Sequence, residues 1–266
     1  INYDVKNKSN IRLTGARDNP LYTEPIHISI EYCKNSKTFI HRKDLYDPDF
    51  IYKHLSVGEE SITPSISYYP KYFSKILCKL TDSNITTIDN LSEIFACILA
   101  ARNICNKLTV LYSSQHLKLL AYLLGVIVRF NSSTISLKAI CDPKNIKKLI
   151  NLKLSGTFLN ISIDNNLPDI EKAGTLNKIL SSKPISATDG FLGKKTFINN
   201  MHLVYITNKN TNIIKLSNNY NTNIIKLNTT SSDLESLILS FENDPAEVEW
   251  VQTKFALHGL KLIAER

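Results

Sequence analysis

Apolar and polar positions change period several times along the 266 residues. Residues 26 to 33, IHISIEYC, alternate and predict a half-buried strand. HRKDLYDPDFIYKHL predicts a short helix after the Asp-Pro break. In YPKYFSKILCKL the residues Tyr72, Phe73, Ile76, Leu77 and Leu80 recur at helical spacing. NLSEIFACILAARNICN predicts a second helix, capped by Asp89 with Glu93 in its first turns. Leu108 to Tyr112, LTVLY, has the composition of a buried strand. LKLLAYLLG predicts a short helix ending at Gly125; the following VIVRF reads either as a strand or as more of that helix. TISLKAICDPKNIKKLINLKLSG predicts two helices broken at Asp142-Pro143. FLNISID is a strand, IEKAGTLNKILSS a helix with Ile170, Leu176, Ile179 and Leu180 on one side, and HLVYITN another buried strand. NIIKL occurs at 212–216 and again at 223–227, giving two short strand candidates. Asp233 is placed to cap DLESLILSFEN, and Pro245 opens a C-terminal amphipathic helix. Strands alternating with helices predict an α/β core with a largely parallel sheet.

The proline-bearing stretch SITPSISYYP reads as a linker with a boundary near residue 65. The expected organisation is an N-terminal appendage over 1–65, β-containing or partly extended. A helical prelude follows over 66–105, a core over 106–230 and a helical region over 231–266. An apolar fraction of 43% is ordinary for a chain that builds a real core. The net charge of +8 favours polyanion partners, DNA among them, because neutralised phosphates release counterions. A Lys-rich chain that is merely soluble is the alternative.

The five cysteines, Cys33, Cys78, Cys97, Cys105 and Cys141, are scattered without a CxxC pair. That argues for a reducing compartment and against a disulfide framework or zinc site. The six histidines are equally dispersed, so no metal or catalytic use of them is expected. The apolar run from Leu117 to Phe130 is interrupted by Lys118, Gly125 and Arg129 and is shorter than the ~20 residues of a membrane span. No membrane partner and no signal peptide are expected, and the host-cell cytoplasm is the expected location. The chain starts at Ile1, so further residues are expected before it. Abundant Asn, Ile and Lys suggest an AT-rich genome.

Four segments stand in a recognisable order. Asn177-Lys178-Ile179-Leu180-Ser181-Ser182-Lys183-Pro184-Ile185 closes a helix. Phe191 to Phe197, FLGKKTF, forms a basic hairpin, and Leu203 to Asn208 is a strand ending in Asn. FALHGLKLIAER follows the core. Residues 70 to 266 thereby resemble the helicase core of superfamily III proteins, in particular phage and plasmid primase-helicases and the poxvirus replicative nucleoside triphosphatase. The resemblance implies an AAA+-like core, a parallel sheet flanked by helices. It implies that Asp164, at the end of ISID, holds Mg²⁺ through water; as a plain residue it is a turn former before Asn165-Asn166. It implies that Asn208 contacts a γ-phosphate or attacking water; otherwise it ends a strand. It implies that Lys194 and Lys195 grip DNA phosphates; the alternative is a solvated turn.

The chain departs from that pattern where nucleotide chemistry is concentrated. After LTVLY the family carries a glycine-rich phosphate loop, whose backbone N–H groups, Lys and Ser/Thr hold phosphates and Mg²⁺. Here the residues are Ser113-Ser114-Gln115-His116-Leu117-Lys118-Leu119, with no glycine to adopt left-handed backbone in an anion nest. Ser113, Ser114 and Lys118 are the nearest candidates for nucleotide contact; Lys118 otherwise reads as a surface residue of an amphipathic helix. Asp164 is followed by Asn165 rather than a second acid, and NNYNTNIIKLN lacks the family's arginine finger. The expected function is a helicase-like, catalytically inactive replication or DNA-binding module of a phage, plasmid, virus or other mobile element. It would need no cofactor, bind DNA, and join a primase or helicase subunit or further copies of itself. The alternatives are an active ATP-dependent helicase with a noncanonical phosphate site, using Mg-ATP, and a scaffold protein that keeps only the fold.

Overall fold

Five strands pair into one all-parallel sheet in the computed structural model, which describes residues 29–33, 38–42, 70–99, 107–128, 132–141, 159–163, 167, 174–181, 184–189, 193–198 and 201–265. Ahead of the sheet, β1 (Ser29–Cys33) and β2 (Thr38–Arg42) form an antiparallel hairpin with Ser29 opposite Arg42. β1 falls inside the alternating stretch IHISIEYC. The helix expected after it, beyond Arg42, lies outside the described residues.

Helix α1 (Lys71–Thr81) buries Phe73, Ile76, Leu77 and Leu80, the face its periodicity marks. Its N-cap is Pro70, which has no side-chain acceptor. The missing acceptor comes from far along the chain. The fully buried carboxylate of Glu247 accepts from Tyr72 N at 2.7 Å and from Phe73 N at 2.8 Å, an anion at the positive end of a helix. Helix α2 (Ile85–Leu99) starts earlier than the sequence suggested. Asn84 caps it by accepting from Thr87 N at 3.0 Å. Asp89 sits within the helix instead, and its carboxylate meets His258 at 3.0 Å.

The sheet contains β3 (Leu108–Tyr112), β4 (Ser132–Ser133), β5 (Leu159–Ile163), β8 (His202–Thr207) and β9 (Thr222–Lys226), in the order β4-β5-β8-β3-β9. Between β3 and β4 lies α3 (Leu117–Ile127). It runs past Gly125, with Val128 as its C-cap, so Val126 and Ile127 belong to the helix and the strand reading of VIVRF fails there. Helix α4 is described over Leu137–Cys141, with the second helix expected beyond Asp142-Pro143 lying outside the described residues, and α5 (Gly174–Leu180) carries buried Leu176, Ile179 and Leu180. β6 (Pro184–Asp189) and β7 (Gly193–Ile198) form a separate antiparallel hairpin.

Between β8 and β9 the chain forms α6 (Asn210–Asn219), so the first NIIKL copy is helical and only the second is a strand. Asn212 and Leu216, four apart, are buried in the helical copy, and Asn212 donates to the Tyr205 hydroxyl at 2.9 Å. Helices α7 (Leu234–Glu242), α8 (Pro245–Trp250) and α9 (Ala256–Glu265) close the chain, with a π-helical turn over Val251–Phe255.

Strand alternation divides the apolar side chains between two layers. Leu111, Ile161, Val204, Ile206 and Ile225 face a core built with α1, α2, α3 and the C-terminal helices. Leu108, Val110, Leu203 and Tyr205 face a second core with α4, α5 and α6. The result is an α/β architecture with helices on both faces of the parallel sheet, consistent with an AAA+-like core.

Candidate functional site

All five strands run the same way, so their C-terminal ends share one edge. There the last residues of β3, β5 and β8 lie side by side, at the edge where ligand crevices form in open α/β sheets. The segment after β3 is the critical one. Ser113 N donates to Thr207 O at 3.1 Å, continuing the pairing with β8. The Ser113 hydroxyl is fully buried. It lies 2.6 Å from the Thr229 hydroxyl and 3.1 Å from the Gln115 carbonyl, and Thr229 itself donates to that carbonyl at 2.6 Å. The turn is thus closed by its own Ser113 hydroxyl and Gln115 carbonyl together with the Thr229 hydroxyl from beyond β9. Ser114 is exposed.

The turn does contain one left-handed residue: His116, with φ of 50°. It is the N-cap of α3 and has no Cβ-free backbone to ease that conformation. Absence of glycine therefore does not forbid a single left-handed position here. It does leave the turn without the several adjacent ones an anion nest uses.

An open cleft of about 730 Å³ lies beside this turn. One wall is the start of α3, from His116 to Leu119 with Tyr122. Ile163, the last residue of β5, and Asn208, just past β8, also line the cleft. Glu235 and Leu239 of α7 complete the lining. Among the sequence-derived candidates, Lys118 and Asn208 are therefore brought to one cleft, both exposed. Asp164 follows Ile163 directly but lies outside the described residues. Lys194 and Lys195 lie in β7, opposite Thr188 and Ala187, rather than in the connecting loop at the tip.

Tyr122 donates its hydroxyl to the Glu242 carboxylate. That hydrogen bond, more than desolvation, raises the Tyr122 pKa above the usual phenol value. At the start of α7, Lys79 reaches Asp233 at 2.9 Å and the Ser231 hydroxyl at 3.0 Å, tying α1 to α7. The Asp233 pKa is held low by the Ser231 hydroxyl first and Lys79 second. No group of three or more His, Cys, Asp or Glu suited to a metal occurs among the described residues. No helix among them is long and apolar enough to cross a membrane.

Tyr122, Glu235 and Leu239 were not legible as cleft residues, because each looks like an ordinary member of an amphipathic helix. The only signal was apolar surplus. Of the six large apolar side chains left exposed among the described residues, three, Tyr122, Ile163 and Leu239, line this cleft.

No protein-family model matches the chain, and no curated protein does. Solved structures do match. The A form apo structure of the NrS-1 C terminal region is 13% identical, with a TM-score of 0.50 over 75% of this chain and 48% of that one. The apo structure of the same region is 12% identical, with a TM-score of 0.52 over 82% of this chain and 50% of that one. The chain spans about half the length of the structures it matches. At such identity the likeness is one of fold.

Proposed function

We propose that the chain is a helicase-like module of a viral, phage, plasmid or mobile-element replication apparatus, which binds DNA without hydrolysing nucleotide. The observation that carries this reading is the turn after β3. On an AAA+-like sheet it occupies the place of a phosphate loop, yet its buried Ser113 hydroxyl and its Gln115 carbonyl are both taken up by Thr229 from beyond β9. The likeness to the NrS-1 C terminal region supports the fold half of the reading. The net charge of +8 and the basic hairpin support the DNA half. A primase or an active helicase subunit is the natural partner, and self-assembly is a further route to function.

A second reading, an active ATPase with an unusual phosphate site, is favoured by one observation: Lys118 and Asn208 share the cleft. The two readings separate on enzymology. The module has no Mg²⁺-dependent ATPase activity above background, and the active enzyme has activity that Asp164→Ala abolishes. For DNA, Lys194→Ala with Lys195→Ala removes two phosphate contacts. The slope of log K against log salt for a single strand then falls by about 1.4, from roughly 0.7 per contact. An unchanged slope and affinity remove the hairpin from the interface.

A further inference from the structure

The cleft does not have the character of a triphosphate site. Its lining mixes apolar and aromatic side chains with the polar His116, Lys118, Asn208 and Glu235, and it gathers half of the large apolar side chains left exposed among the described residues. Concentrated exposed apolar surface in a concavity of several hundred cubic ångströms marks a binding site rather than leftover surface. The occupant must offer a flat or apolar body and must suit a chain of net charge +8.

We infer that this cleft receives one unstacked base of single-stranded nucleic acid. The inference rests on the DNA-binding reading above and adds where the base, rather than the backbone, is held. The base enters between Tyr122 on α3 and Leu239 on α7, above Ile163. Tyr122 is a fixed wall, because its hydroxyl is anchored on Glu242. Asn208, exposed in the cleft, offers an amide that both donates and accepts, suited to a base edge. Lys118 on the α3 rim meets an adjoining phosphate. Glu235 and Glu242 lie on α7, so the backbone passes on the α3 side. Stacking on aromatic and apolar faces is tolerant of base identity, so the pocket gives strand-type preference rather than sequence readout. Duplex DNA, with its bases paired, cannot fill it.

The test is fluorescence anisotropy on the full chain with two labelled strands of about 12 nucleotides, one oligothymidine and one wholly abasic. Wild type binds oligothymidine on the order of tenfold tighter than the abasic strand. Leu239→Asn, a change at an exposed position, removes that difference, and Tyr122→Leu reduces it. Lys194→Ala with Lys195→Ala weakens both strands alike. Equal binding of the two strands by wild type overturns the base pocket while DNA binding stands. A Leu239→Asn protein that keeps the tenfold preference overturns it too, as does one whose only change is in self-association. Absence of binding to either strand removes this inference and the DNA-binding reading together.

Discussion

Gly259 on α9 makes the closest helix approach for which a substitution can be sized. A Cβ added there would stand 2.0 Å from Ser92 O, 2.2 Å from Ser92 C and 2.6 Å from Glu93 N. All three are backbone atoms of α2, so no side-chain rotation relieves the contact. Ordinary contact begins at 3.4 Å, so α2 and α9 would have to part by 3.4 − 2.0 = 1.4 Å along that line. That movement would loosen the aromatic cluster, in which Phe255 lies 5.5 Å from Phe95 and 5.2 Å from Phe73. Overpacking costs about 1–3 kcal/mol or more, and alanine recovers about 1 kcal/mol of helix propensity. With backbone on the far side the upper end applies, so Gly259→Ala is expected to lose about 2 kcal/mol. At roughly 2–4 °C per kcal/mol, Tm falls by about 4–8 °C. The assay is urea and thermal unfolding followed by circular dichroism. Gly174→Ala is the control: nothing lies within 4 Å of its Cβ position, and it is expected to be neutral or mildly stabilising. A Gly259→Ala protein as stable as wild type would refute the close crossing of α2 and α9, and with it the packing of the C-terminal helix onto the core.

Three further outcomes follow from the same geometry. Glu247→Ala strips the half-buried Tyr72 amide and the buried Phe73 amide at the start of α1 of their acceptor and is expected to cost about 3 kcal/mol, with Glu247→Gln costing less; equal denaturation midpoints for all three proteins would contradict the remote cap. His202 is buried, shares a 2.8 Å hydrogen bond with Thr109, and has its pKa pushed down to about 4 by desolvation. The unfolded chain therefore binds the extra proton first, so this stability is complete above about pH 6.5 and is lost as pH falls toward 4. The loss approaches about 3 kcal/mol, and His202→Gln should flatten the pH dependence of the urea midpoint in that window. Thr229→Val leaves Ser113 and Gln115 without a shared partner and is expected to cost about 1–3 kcal/mol in the same assay.

The repeated hexapeptide TNIIKL shows how far local sequence carries. At Thr211–Leu216 it lies in α6, and at Thr222–Leu227 it provides β9 and the residue after it. In the helical copy Asn212 and Leu216 are buried while Ile214 is 59% exposed. In the strand copy Ile225 and Leu227 are buried, two apart. β-branched isoleucines lean toward strand, yet α6 must bridge β8 to β9 across β3, and that crossover decides the first copy. Periodicity did reveal β3, β5 and β8, because buried parallel strands are nearly continuous apolar runs. It left VIVRF open between strand and helix, and α3 runs through Val126 and Ile127 because these β-branched residues continue a helix already packed on the sheet. The start of α2 was missed because Asn84 competes with Asp89 as a cap, and only the chain reversal at Asp82 and Ser83, both left-handed, decides between them.

Lys118 and Asn208 were named from their places in an ordered pattern, and both line the cleft. The apolar walls of the cleft were not, since Tyr122, Ile163 and Leu239 come together only when the sheet and α7 assemble. The lock of Ser113, Thr229 and Gln115 was equally hidden, because Thr229 lies 116 residues from Ser113.

The central claim is that the turn after β3 gives a triphosphate no cradle. Titration calorimetry of the full chain with a nonhydrolysable ATP analogue and Mg²⁺, set against adenosine alone, tests it most directly. The account predicts that the triphosphate and metal add nothing to the affinity of the nucleoside. Binding of the Mg²⁺ analogue tenfold or more tighter than adenosine, about 1.4 kcal/mol at least, would contradict it.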